Sequence, residues 1–304
     1  MKQIVILLAL TLLAGCQTNR KAAGNPAPLH IAICGDDKIQ ILNADASTDD
    51  HPAVAWQWQA TTDAPGLPPE FIPHLQSIDD CKPVNNHTQI LATSSSGCVL
   101  LIDISTRLTL YAAHAPNAHS ADLLPRGRIA VALSTHPQGN RLAIYSLHQP
   151  DTILYSDTLY SAHGAVWNPQ LQRLYALGYD QLREYALQDW DTPHPSLRLL
   201  RRWPLPLESG HDLTPITDHT LLITGHQGAA TFHIPTAAFR PYPPLASTPD
   251  VKSANHLPAT GRLIYTVAEE SWWTDHVYLH NPPQRITIPN LKLYKARPIN
   301  FNHN

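Results

Sequence analysis

Apolar residues in this chain come in runs of five or six, many alternating with polar ones. Gly-, Asp- or Ser-bearing turns separate the runs. Alternation with β-branched residues over so short a span predicts β-strands, not helices. Residues 29–34 form such a strand, Gly35 to Asp37 turn it, 38–42 return and 54–58 add a third. The proline-rich stretch from Thr61 to Leu75 reads as a connection. Paired strands then recur at 89–93 and 99–103 (with 108–111 after them), 128–133 and 142–145, 173–177 and 182–185, 220–224 and 230–234, and 262–267 and 277–280, where 286–288 follows.

Each pair is preceded by a similar segment, with a charged or imidazole residue, small residues and then a proline. The segments run from His119 to Pro125, His163 to Pro169, Gly210 to Pro215 and Lys252 to Pro258, with looser copies from Asp80 to Pro83 and Lys295 to Pro298. Their opening residues, at 81, 119, 163, 211, 252 and 295, are spaced by 38, 44, 48, 41 and 43 residues. A repeat of about 40–50 residues built from short strands marks a β-propeller. A β-sandwich also has strands at this spacing, but the repeated segment argues against one. The N-terminus supplies strands without an opening segment, and the C-terminus supplies an opening segment and little else. Joined, they complete one blade, so the expected fold is all-β: a six-bladed β-propeller of four-stranded antiparallel blades, its ring closed by N- and C-terminal strands.

The first residues carry a different signal. Lys2 precedes an apolar run from Ile4 to Ala14, and Leu13-Ala14-Gly15-Cys16 resembles a bacterial lipobox. We expect a lipoprotein signal peptide over 1–15, a lipidated tether over 16–28 anchored through Cys16, and the propeller over 29–304. Gln17, where aspartate would favour inner-membrane retention, points to the outer membrane of a Gram-negative envelope, facing the periplasm. The net charge of −3 gives no basic surface for nucleic acid. Three cysteines remain, Cys34, Cys81 and Cys98, so at most one intrachain disulfide is possible, of unspecified pairing.

Several segments resemble a family of bacterial propeller lipoproteins of unknown function, the DUF6528 family. They are Asp80-Cys81-Lys82-Pro83, residues 117–121, Gly210-His211-Asp212, residues 268–273 and residues 292–295, and the resemblance covers essentially the whole mature chain. It implies the propeller fold and carries no reaction with it.

The opening segments would be innermost strands, so their polar residues converge on the channel. The candidate ligand-binding set is Asp80, Lys82, His119, His163, His211, Lys252, Lys295 and Arg297. The cationic members suit an anionic small molecule or glycan, with arginine able to hold a carboxylate bidentately. His119, His163 and His211 suit one divalent metal, manganese, zinc or iron. A metal with Lys/Arg is the logic of abstracting a proton α to a carboxylate, so a metal-assisted lyase on uronate sugars is the alternative. Oligogalacturonate lyases are similar in architecture, without a motif match. A protein-interaction scaffold is a second alternative. Polar residues at a channel mouth can equally serve only backbone and water.

The turn holding Glu269, Glu270, Trp272 and Trp273 is longer than its counterparts, and carboxylates beside indoles suit glycan stacking and hydrogen bonding. The opposing expectation is a tryptophan packed between blades beside solvated glutamates. His256 lies out of phase with the other histidines. Gly-rich phosphate loops, a Gly-x-Ser-x-Gly elbow and a Cys-x-x-Cys pair are all missing from the sequence, which disfavours nucleotide, α/β-hydrolase and thioredoxin-type chemistry.

Overall fold

Residues 27–301 are described by a computed structural model of the chain. The expected signal peptide and Cys16 lie outside them. Among the described residues, twenty-four strands form six antiparallel four-stranded sheets. The first blade combines β1 (His30–Gly35), β2 (Lys38–Asn43) and β3 (Val54–Gln59) with the final strand, and the second holds β4 (Ile78–Val84), β5 (Gln89–Ser94), β6 (Cys98–Asp103) and β7 (Thr109–His114). The third holds β8 (Ala118–Leu124), β9 (Arg128–Leu133), β10 (Arg141–Ser146) and β11 (Gln149–Thr158). The fourth holds β12 (Gly164–Asn168), β13 (Arg173–Leu177), β14 (Gln181–Gln188) and β15 (Ser196–Pro204). The fifth holds β16 (Asp212–Thr217), β17 (Thr220–Gly225), β18 (Gly228–His233) and β19 (Ala238–Pro241). The sixth holds β20 (Val251–Leu257), β21 (Arg262–Val267), β22 (His276–His280) and β23 (Gln284–Thr287). The last strand, β24 (Leu293–Ile299), pairs antiparallel with β1, from His30 opposite Ile299 to Gly35 opposite Leu293. The ring therefore closes with strands from both ends of the chain, as the sequence predicts.

The second and third strands of each blade follow the apolar runs because both of their faces are covered, by the blades on either side. Ile129 to Leu133 and Leu142 to Tyr145 are all at most 1% exposed. Trp56 and Trp58 share one face of β3 and are buried in the core between the first and second blades. The outer strands β11, β15 and β19 escaped the sequence reading because they are half solvated and polar, as in Gln149–Thr158. The expected connection from Thr61 to Leu75 contains a 3-10 helix, Pro69–Leu75, that buries Phe71 and Leu75. His256 faces away from the channel, bonded to Tyr242 Oη at 2.8 Å.

The inner strands β4, β8, β12, β16, β20 and β24 surround the axis, each touching its neighbours. Backbones come close here. A Cβ on Gly164 would lie 2.7 Å from Leu213 Cβ of the next blade, so glycine is what lets β12 fit beside β16. Cys34, Cys81 and Cys98 are all buried free thiols.

Candidate functional site

One residue from each inner segment lines a cavity at one mouth of the channel: Asp79, His119, His163, His211, Lys252 and Tyr294. The cavity measures about 610 Å³. In sequence these six are 40, 44, 48, 41 and 42 residues apart, so the true register matches the sequence reading at four blades. In the two loose copies it is shifted, to Asp79 and Tyr294. The residues one step further along are Asp80, Ser120, Gly164, Asp212, Ser253 and Lys295, all buried, and they form a second level beneath the cavity.

That second level is held by charge. Arg297 spans two carboxylates: Nε and Nη2 donate to Asp80 Oδ1 and Oδ2 at 2.7 and 2.8 Å, and Nη1 and Nη2 donate to Asp212 Oδ2 and Oδ1 at 2.7 Å each. Lys295 Nζ lies 3.1 Å from Asp212 Oδ1 and donates to the carbonyls of His163 (3.0 Å) and His119 (3.1 Å). Ser120 Oγ donates to Asp80 at 3.0 Å, and Asn255 Nδ2 donates to the Ala296 carbonyl at 2.7 Å. Burial alone would raise both carboxyls, but Arg297 and Lys295 outweigh it and hold Asp80 and Asp212 below the usual range. Asp80, Lys295 and Arg297 are thus an axle that ties five blades together, with Asn255 bringing in the sixth through Ala296, and they do not line the cavity. Lys82 is also outside it, donating to the Ala165 carbonyl at 2.7 Å with Asp122 at 3.8 Å.

The cavity histidines have assigned roles. A carbonyl only accepts, so His119 Nδ1–H donates to Asn117 O (3.1 Å) and His163 Nδ1–H donates to Ser161 O (2.9 Å). The opposite nitrogen of each ring then carries a lone pair. Lys252 Nζ donates to His211 Nε2 at 2.9 Å, which leaves His211 Nδ1–H to donate to Tyr294 Oη at 3.3 Å. The rings pass along the wall with centroids 4.3 Å apart from His119 to His163, 5.7 Å from His163 to His211 and 4.7 Å from His211 to His226. Burial keeps the imidazoles of His119, His163 and His211 neutral. It lowers His119 to about 4 and His163 well below its ordinary value, and with Lys252 beside it His211 falls to about 2. Burial also lowers Lys252 and raises the Asp79 carboxyl to about 7.

The three histidines expected to share a metal do line one cavity, but the two donor sets that converge among the described residues are different: one is Glu269, Asp275 and His276 in the long turn, and the other joins His211 to new partners. Donor atoms of His211, His226 and Asp250 all lie within 4.8 Å of one another. Lys252 Nζ, 2.9 Å from His211 Nε2 and 3.7 Å from Asp250 Oδ1, already supplies a positive charge there. We read this group as the seat of a lysine ammonium rather than of a metal ion.

The long turn after β21 divides its residues. Trp272 lines the same cavity, 41% exposed, with its ring 6.1 Å from that of Tyr294. Trp273 instead receives Lys292 over its ring at 5.5 Å. Glu269 accepts from Thr274 Oγ1, from Tyr278 Oη at 2.5 Å and from His276 Nδ1 at 2.7 Å, and these bonds hold its carboxyl low despite partial burial. Glu269 thus stiffens the turn that presents Trp272, while the exposed Glu270 makes a backbone bridge with Trp273. Of the twelve residues expected to bind ligand, His119, His163, His211, Lys252 and Trp272 line the cavity. Asp79, Tyr294, His226 and Asp250 were missed. Only the 40-residue phase from His119 back to Asp79 could have flagged the first.

The family described as "Family of unknown function (DUF6528)" matches residues 31–303, and the chain belongs to it. No curated protein matches the chain. Among solved structures, a protein of unknown function from Bacteroides caccae is similar, with 13% identity and a TM-score of 0.59 over 90% of this chain and 99% of that one. That likeness concerns the fold.

Proposed function

We propose that this member of the DUF6528 family binds an anionic glycan or small sugar acid at the channel mouth. The observation that carries the reading is that Lys252 and Trp272, 20 residues apart, line one cavity. An indole face accepts the apolar face of a pyranose, and a poorly hydrated ammonium attracts its carboxylate. The free ring nitrogens of His119 and His163 and the side chain of Asn117, also in the lining, suit sugar hydroxyls. A pocket of a few hundred Å³ with convergent polar groups has the size of a small-ligand site. The lipobox-like sequence at 13–16 supports an envelope location, where such acids are encountered.

Calorimetry with short oligogalacturonides and their methyl-esterified, uncharged counterparts tests the proposal. Binding of the acid form, weakened at least tenfold by esterification, by Trp272→Ala and by Lys252→Met, is expected. Equal affinity for the neutral ligand, or indifference to both variants, overturns it.

The alternative of a metal-assisted lyase needs a cation among the histidines, and the position of Lys252 speaks against one. A scaffold role has no cavity requirement and gains nothing from the converging histidines.

A further inference from the structure

We propose that Lys252 is a nucleophile that forms a reversible imine with a carbonyl-bearing ligand, the open-chain aldehyde of a sugar or a small 2-oxo acid. A lysine nucleophile needs a desolvated seat, a neutral acceptor that positions Nζ, and access to a ligand. Lys252 Nζ lies 2.9 Å from His211 Nε2, His211 Nδ1–H is held by Tyr294 Oη at 3.3 Å, and all three residues line the 610 Å³ cavity.

The other lysines near the axis lack this arrangement. Lys295 is spent on Asp212 and two carbonyls, and Lys82 on the Ala165 carbonyl and Asp122. Neither lines the cavity. The carboxylate nearest Lys252, Asp250, is 3.7 Å away, so the short contact of this ammonium is to a base rather than to an anion.

The step balances without an oxidant or reductant. The Lys252 ammonium gives one proton to solvent in the cavity, and the freed Nζ lone pair attacks the carbonyl carbon as the C=O π pair moves to oxygen. One proton passes from that nitrogen to the alkoxide, giving the neutral carbinolamine. The proton released at the start returns to the hydroxyl, which leaves as water while the nitrogen lone pair forms C=N. The product, protonated on nitrogen, keeps the positive charge of the lysine in its seat between His211 and Asp250.

Borohydride trapping tests this. The protein is incubated with glyceraldehyde or pyruvate and sodium cyanoborohydride, and adducts are mapped by peptide mass. The expected result is one dominant adduct on Lys252, formed at least tenfold faster than on exposed Lys292 or half-buried Lys38, and slowed at least tenfold by His211→Gln. Labelling of Lys292 and Lys38 with Lys252 untouched, or Lys252 labelling indifferent to His211→Gln, overturns the proposal. The two readings fail separately: calorimetry showing oligogalacturonide binding to the wild-type protein while Lys252 is not trapped overturns this proposal and leaves the binding reading standing.

Discussion

Arg297 and Asp212 meet through two parallel bonds of 2.7 Å, 85 residues apart in sequence, with both side chains at most 3% exposed. The same guanidinium holds Asp80 of the second blade on its other edge. Arg297 stands on β24, the strand that closes the ring. Closure and axle are therefore one element, and the first blade cannot dock without completing the ion cluster.

Removing one partner from a buried ion pair leaves an uncompensated charge, which costs about 3–5 kcal/mol. Asp212→Ala and Arg297→Met should each lower stability by about that much in denaturant unfolding. Arg297→Lys should not restore it, because a single ammonium cannot serve two carboxylates bidentately.

Deleting residues 295–304 removes Lys295, Arg297 and most of the β1 pairing together. Circular dichroism and gel filtration should show loss of the cooperative fold of the whole ring, and a retained cooperative melt would contradict the closing role of β24.

The cavity carries opposite pH signatures. The Asp79 carboxyl is raised in the folded state, from 3.8 to about 7, so its contribution is present below pH 4 and is lost as pH rises through 7. His119 is lowered from 6.5 to about 4, so its contribution is present above pH 6.5 and is lost as pH falls through 4. Asp79→Asn should raise the melting temperature at pH 8 and change it little at pH 4. His119→Gln should flatten the loss of stability between pH 6.5 and 4. Melting curves of both variants across pH 4–8 check the two signs.

Trp272 is the exposed half of the proposed platform. Trp272→Ala should leave the melting temperature within about 1 °C of wild type, since exposed side chains contribute little to stability, while weakening oligogalacturonide binding. Trp273→Ala should do the reverse in binding, with affinity retained. Titration calorimetry beside thermal melts distinguishes the two.

Burial raises the thiols of Cys34 and Cys98, and all three cysteines of the domain are buried. None of Cys34, Cys81 and Cys98 should react with a disulfide reagent in the native protein, and all three should react in denaturant, as peptide mapping would show.

The six-bladed plan was readable because it is written locally. Apolar runs set the strands, turn residues separate them, and the His119, His163, His211 and Lys252 segments mark the blades. The unmatched ends revealed the closure, since a strand edge without a partner must find one. Which residues face the ligand was only partly readable. Neighbouring residues on an inner strand sit at successive levels of the channel, so a one-residue error of phase exchanges cavity for axle. That is why Asp80 and Lys295 were expected in the lining, where Asp79 and Tyr294 stand. Asp212 gave no sign of its role beyond adjoining His211, because its partner is an arginine 85 positions away. Sequence determined the strands, the repeat and the residue types at the centre. Only the closed ring decided which charges neutralise one another, because buried ion pairs are chosen by distance in space across the axis, and the order of residues along the chain does not contain that distance.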